Sequence, residues 1–327
     1  MLGMRRREFI TLLGGAAAWP FAVRAEQPAM PVIGFLDVIN PTSRLAAFQQ
    51  GLAETGYVLG QNVALEIRSA EGDYHRFPEL AADLVRRGVS VIVAPGTTPA
   101  ALAARAATTT IPIVFGVGDD PVKLGLVANL ARPGGNATGI NFFTAELAAK
   151  RLGLLRELLA AAKRVAVLVN PTDPIRLETI VGDVKTAAGV IGLQFQVVNA
   201  STSREIDAAF TTLAAARPDA LFVGPDPFFF SRRGQLALQA ARHALPASYG
   251  VRDYAEAGGL MSYGANITDA YRQVGVYAGR ILKGAKPADL PVQQSTKFEL
   301  VINLQAARTI ELDVPPTLLA RAEEVIE

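Results

Sequence analysis

Five carboxylates stand just after apolar, β-rich runs of this sequence: Asp37, Asp119, Asp120, Asp173 and Asp226. Thr97 and Thr98 occupy the same kind of place, after Gly96 in "VIVAPGTTPAALAA" (91–104). Acids so placed can cap helices, accept hydrogen bonds from a ligand ammonium, or work in pairs as general acid and base. Four of these polar residues are followed by proline, in Thr98-Pro99, Asp120-Pro121, Asp173-Pro174 and Asp226-Pro227, and Asn40-Pro41 makes a fifth pair. A capping residue followed by proline is a common way for a helix to begin. Each such start offers free amides and the positive end of the helix dipole, a good seat for a small carboxylate. A nucleotide fits less well, because the glycine-rich phosphate signatures and their lysine are missing. Amide donors beside carboxylate acceptors together suggest an amino acid or a similar zwitterion. Tyr249 ends a β-rich run and carries a hydroxyl, so it is the aromatic expected at the ligand. One or two phenylalanines of "PFFFSRR" (227–233) are expected to join it, while the other aromatics, Phe142, Phe143 and Tyr263 among them, have core packing as the alternative.

Composition narrows the chemistry. The 327 residues include no cysteine and only two histidines, His75 and His243. Disulfides, thiol catalysis and thiolate metal sites are excluded, and a histidine-based metal site or triad is disfavoured. No G-x-S-x-G elbow is present. No metal, cofactor or catalytic residue is therefore expected. The 32 basic and 30 acidic residues are mixed along the chain, so no basic tract suggests nucleic acid. Residues 1–25 read as a removable export signal: "MRRREF" is cationic, "ITLLGGAAAWPFA" apolar, and "VRA" has small residues before Glu26. Arg6–Arg7 followed by "EFI" also fits a twin-arginine signal, and an ordinary secretory signal with an arginine-rich start is the alternative. Its loss removes four Arg and one Glu, leaving 28 basic and 29 acidic groups. The mature chain is expected to be soluble and periplasmic.

The elements that must position the polar groups alternate in type. Strand patterns lie at "VIGFLDV" (32–38), "NVALEIR" (62–68), "VSVIVA" (89–94) and "IPIVFGV" (111–117), separated by helical patterns closed by glycine. The rhythm repeats at "RVAVLVN" (164–170), "LQFQVVN" (193–199), "DALFVG" (219–224) and "LPASYGV" (245–251). Thr202 and Glu205 are spaced as a capping box before another helix. Such alternation predicts parallel sheets covered by helices. Asn40-Pro41-Thr42 recurs as Asn170-Pro171-Thr172, "VSVIVAP" is answered by "DALFVGP", and "IPIVFGV" by "LPASYGV". Three matches in order predict two copies of one α/β unit, with one large sheet of similar strand ends as the alternative. Two such units create a cleft, and parallel sheets bind ligands off their strands' carboxyl ends. Crossings between units are expected at "NLARPGGNATGINFF" (129–143), at "GGLMSYGANIT" (258–268) and near "STKFELVIN" (295–303). The glycines of the first permit hinge rotation. Lys150, Arg151 and Arg156 are expected to be solvated, or to dock a transporter.

The whole chain resembles the substrate-binding proteins of ABC transporters with the type I periplasmic binding fold, in the tryptophan/tyrosine-type subfamily. The resemblance rests on "RREFITLLGGAAAWP", "GTTPAALAA", "IPIVFGVGDDPVKLGLVANLARPGGNATG", "ELAAKRLGLLREL", "AVLVNP", "GGLMSYG" and "PTLLARAEEVI". It implies two Rossmann-like lobes joined by three hinge crossings, closing on one small ligand that is handed to membrane permease subunits. It points to Gly96, Thr97, Thr98, Gly118, Asp119, Asn170, Thr172, Asp173, Asp226 and Tyr249 as lining positions, to which the acidic edge adds Asp37. The expected lobes are 31–140 with 265–294 and 141–264 with 295–327, in a monomer. The function expected is an exported receptor for an amino acid, aromatic or branched, or a related organic acid. An exported hydrolase using an aspartate pair, or a ligand sensor for a signalling receptor, are the alternatives.

Overall fold

The computed structural model describes residues 30–38, 42–142 and 144–327, apart from the side chains of 42, 43, 144–146 and 175. The export signal, the Asn40-Pro41 pair and Phe143 lie outside the described residues. The chain runs β1 (Val32–Asp37), α1 (Thr42–Glu54), β2 (Ala64–Ser69), a 3-10 turn (Tyr74–Arg76), α2 (Phe77–Arg86), β3 (Val91–Ala94), α3 (Thr98–Ala107), β4 (Ile113–Val117) and β5 (Ala137–Asn141). Next come α4 (Thr144–Leu158), β6 (Arg164–Val169), α5 (Pro174–Ile191), β7 (Gln194–Asn199), α6 (Ser203–Ala216), β8 (Ala220–Val223), α7 (Pro227–Ser231), α8 (Arg233–Arg242), β9 (Ala247–Tyr249), α9 (Asp253–Glu256) and β10 (Met261–Ala265). The last elements are α10 (Ile267–Leu282), β11 (Gln293–Gln294), β12 (Phe298–Asn303), α11 (Leu304–Thr309), α12 (Pro316–Leu319) and β13 (Glu324–Ile326).

Two sheets result, in the orders β11-β5-β4-β3-β1-β2 and β13-β12-β10-β9-β8-β6-β7. The order 2-1-3-4-5 of the first is repeated as 7-6-8-9-10 in the second. The sequence repeats fall on matching strands, "VSVIVAP" and "DALFVGP" on β3 and β8, "IPIVFGV" and "LPASYGV" on β4 and β9. β3, β4, β5 and β8 are buried along their whole length. That is why they read as unbroken apolar runs: helices cover both faces of a parallel sheet. Phe77 and Phe115 anchor one face of the first sheet, Phe35 and Phe48 the other. In the second sheet Phe222 and Val184 pack on one face, Phe210 and Phe229 on the other. The capping box forms in modified form: Thr202 Oγ1 accepts from Glu205 N, while Glu205 accepts from the amide and hydroxyl of Ser201.

The chain passes between sheets three times, after β5, after β10 and between β11 and β12. Two strands depart from the expected parallel sheets: β12 runs antiparallel to β10, and β13 lies parallel to β12. The topology requires the reversal at β12. β11 lies parallel to β5 and so ends at that sheet's carboxyl edge. β12 therefore enters the second sheet from its carboxyl edge and must run back. After β10 the chain returns to the first lobe as α10, which packs against α1 at very close range. A Cβ on Gly51 would lie 1.8 Å from Arg272 O, and one on Gly275 2.1 Å from Phe48 O. This approach brings Tyr271 to the end of β1. Pro31–Glu327 makes one compact unit.

Candidate functional site

The polar strand ends converge as the parallel topology dictates. In the first lobe Thr97 caps α3, its hydroxyl accepting from Ala100 N at 3.2 Å, with Pro99 in the first turn. Thr98 donates its hydroxyl to Asp119 Oδ2 at 2.5 Å, and both residues are buried. Asp37, at the end of β1, accepts from Val38 N at 2.7 Å and from the Tyr271 hydroxyl at 3.2 Å. Burial pushes its pKa up to about 6, against the opposing pull of the Val38 amide, Arg44 and Tyr271. A Cβ on Gly96 would stand 2.7 Å from Asp37 Oδ1, so this glycine keeps the acid and the start of α3 side by side.

In the second lobe Asp173 caps α5 through Arg176 N at 3.1 Å, and its carboxylate pairs with Arg176 Nε at 3.3 Å. Arg176 also donates to Pro225 O at 3.2 Å, while its Nη2 is buried with no hydrogen-bond partner among the described residues. Asp226 caps α7, accepting from Phe229 N at 3.1 Å and from Asn170 Nδ2 at 3.3 Å. Thr172 is held by Asn170, whose Oδ1 accepts from both its amide and its hydroxyl. Burial raises the pKa of Asp226, opposed first by Arg176.

Tyr74 and Arg44 reach across the cleft to the second lobe. The hydroxyl of Tyr74, from the 3-10 turn, donates to Asp226 Oδ2 at 3.0 Å in a buried setting. The guanidinium of Arg44, from α1, lies 3.9 Å from the centre of the Phe230 ring on α7. Arg176 feels the field of Asp119 as well as of Asp173 and Asp226, so a cation of one lobe sits among acids of both.

Between the lobes lies a cavity of about 100 Å³, bordered by Arg44, Gly96, Gly118, Phe142, Leu147, Arg176, Asp226, Phe230, Tyr254 and Tyr271, among others. One water needs only about 10–15 Å³ of such space, so a molecule of several heavy atoms fits. Two arginines and one aspartate interrupt a mostly apolar, aromatic wall. This is the composition of a small-ligand site with a few polar groups to fix orientation.

Three of the expected lining residues, Gly96, Gly118 and Asp226, border this cavity. Asp37 stands behind Gly96 and Tyr271; Thr97, Thr98, Asp119, Asn170 and Asp173 form the capped frame one step back. Thr172 is exposed, and Asp120 is also exposed, where it caps the turn at Val122 and Lys123. Tyr249 is a correction. It is fully buried in the second lobe's core, stacked 4.7 Å from Tyr254, and it is Tyr254 that reaches the cavity. Phe230 faces the ligand space while Phe229 packs inside. Arg151 is a second correction. It was expected at the surface but is 2% exposed, with its guanidinium against Val223, Ser248 and the Phe222 ring. Helical spacing explains it, because Ala148, Leu154 and Leu155 put its face of α4 toward the sheet.

The sequence reading missed Arg44, Arg176, Tyr74 and Tyr271. The internal repeat carried a signal for two of them: Arg44 and Arg176 are each the third residue of the helix that follows the first strand of the repeat, β1 or β6.

Among the described residues, no three acidic or histidine side chains cluster as metal ligands do, and no helix is long and apolar enough to cross a membrane. Two α/β lobes, three crossings and a ligand-sized cavity closed between them define a solute-binding protein of the type I periplasmic binding fold. Over residues 33–326 the chain matches the family described as ABC transporter substrate binding protein, and it belongs to that family. It is similar to the tyrosine-binding protein of Clostridioides difficile, 27% identical over 265 residues, which span 81% of this chain and 75% of the relative. Among solved structures it is similar to an ABC domain in complex with L-Trp from Streptococcus pneumonia, with a TM-score of 0.82 and 27% identity, covering 90% of this chain and 99% of that one. A conserved domain protein from Vibrio cholerae gives a TM-score of 0.81 and 28% identity at the same coverage.

Proposed function

We propose that this protein is the exported solute receptor of an ABC importer and that its cavity takes an aromatic amino acid. The observation that carries this reading is the presence, inside one aromatic cavity, of a buried guanidinium with one unbonded nitrogen, Nη2 of Arg176, near a buried aspartate, Asp226. Nη2 of Arg176 and the positive start of α3 beside Gly96 receive the ligand carboxylate. Asp226 receives the ammonium, a charge-assisted contact stronger than one between neutral groups, and the charge of Asp37 one layer back adds to the attraction. The ligand side chain then lies among Phe142, Leu147, Phe230 and Tyr254. The tyrosine-binding relative and the L-Trp complex support this choice of ligand class.

Closure follows from the same contacts. A ligand held by α3 of one lobe and Arg176 of the other stabilises the closed form only by the extra contacts it makes there. Residues 31–140 with 265–294 move as one lobe, and 141–264 with 295–327 as the other. The receptor works as a monomer in the periplasm after loss of residues 1–25, and it hands its ligand to the permease subunits. A hydrolase using paired aspartates is less well supported, since Asp226 already accepts from Tyr74, Asn170 and Phe229, and Asp119 from Thr98. Mass spectrometry of whatever co-purifies with the protein tests the reading. An aromatic amino acid at one per chain is expected; a sugar, a nucleotide or a lipid in its place overturns it.

A further inference from the structure

Beside the main cavity lies a smaller chamber, and the binding of an amino acid's charged groups leaves it unused. Its polar end is built around Arg151. Nη2 donates to Val223 O at 2.9 Å and to Ser248 O at 2.5 Å, Nε donates to Ser248 Oγ at 3.3 Å, and the guanidinium lies 3.8 Å from the Phe222 ring centre. All these partners are neutral, and among the described residues this buried cation forms no ion pair. Burial lowers its pKa to about 9, which leaves it charged at neutral pH. A buried cation without a counter-ion is destabilising unless something else meets it. The remaining nitrogen, Nη1, faces Gly250, where a Cβ would lie 3.7 Å away.

The chamber measures about 40 Å³, the space of roughly three or four waters. Arg151 supplies a fixed donor, and Asp183 of α5 supplies an acceptor. Leu147, Pro225 and Gly250 border both this chamber and the main cavity, so the two adjoin.

We propose that the chamber receives the far end of the ligand side chain and selects a group that both accepts and donates a hydrogen bond, a phenol hydroxyl. The inference rests on the amino-acid reading of the main cavity. A site built to bond a hydroxyl discriminates strongly against the analogue that lacks it, because its own polar groups are then left unpaired.

Titration calorimetry with L-tyrosine and L-phenylalanine tests the proposal. The unaltered protein binds tyrosine at least tenfold more tightly than phenylalanine. Asp183→Asn, on a half-exposed helical position that folding tolerates, lowers this ratio several-fold. Gly250→Ala weakens tyrosine binding by partly filling the passage; its methyl would meet Arg151 Nη1 and Pro225 only at ordinary contact distances of 3.7 and 3.9 Å, so the fold is kept. Equal affinity for the two ligands in the unaltered protein, or an unchanged ratio in Asp183→Asn, overturns the chamber's role while leaving the amino-acid reading intact. Binding of neither ligand, nor of any other amino acid, overturns both.

Discussion

Replacing Asp37 by asparagine separates the stability cost of the site from its binding role. Burial raises the Asp37 pKa from 3.8 to about 6. The shift of roughly two units corresponds to about 3 kcal/mol at ~1.4 kcal/mol per unit. The folded chain holds this proton more tightly than the unfolded chain does. Below pH 3.8 the carboxyl is neutral in both states and has no effect; as pH rises toward about 6 the folded state loses stability, and above that the full cost is present. Asparagine keeps the shape, can still accept from Val38 N, and carries no charge. In ligand-free protein at pH 7.5, Asp37→Asn therefore raises the melting temperature by about 5 °C, at roughly 1.6 °C per kcal/mol for a chain of this size. Near pH 4 the gain vanishes. Binding moves the other way: removing a negative charge one layer behind the cavity wall, worth about 1–2 kcal/mol to the ammonium, weakens the amino acid about 5- to 30-fold at pH 7.5. Scanning calorimetry at the two pH values, with and without ligand, reads both effects. A lowered melting temperature at pH 7.5, or a gain equally large at pH 4, refutes the argument.

Other outcomes follow from the same geometry. Because the ammonium favours ionised Asp37, the ligand Kd of the unaltered protein is flat above about pH 6 and rises about 5- to 30-fold in all as the pH falls below it; titrations from pH 4.5 to 8 check this. Tyr74→Phe removes the hydroxyl that ties the lobes at Asp226, a bond of about 1 kcal/mol, so affinity falls about fivefold and the ligand-free protein shows a larger radius of gyration in small-angle scattering. Gly96→Ala places a methyl 2.7 Å from Asp37 Oδ1 and 3.2 Å from the Tyr271 hydroxyl. Overpacking of this kind costs about 1–3 kcal/mol, seen as a roughly 5- to 150-fold loss of affinity with circular dichroism unchanged.

The fold was open to reading because its strands are covered on both faces and its helices begin with capped prolines. The same chemistry, repeated at β3 and β8 and at β4 and β9, exposed the two lobes before any coordinates. The site was only half legible. Helix starts named the frame, Gly96 and Asp226 with it, since caps are local. Arg44 and Arg176 were hidden because an arginine in the first turn of a helix ordinarily points to water; only their equal positions in the two repeats marked them. Tyr74 gave no local signal, as its partner lies 152 residues away. Tyr249 misled for a reason of layering. A tyrosine at a strand's carboxyl end can reach the cleft or pack under a neighbour, and here Tyr254 takes the outer place.

The most direct test of the central claim is titration calorimetry of the protein, freed of any co-purified ligand, against the twenty standard L-amino acids. Saturable heat at one site per chain is expected for an aromatic member of the set, and the weakest response for acidic ones. No heat from any of the twenty, from a chain whose circular dichroism is that of a folded α/β protein, contradicts the account.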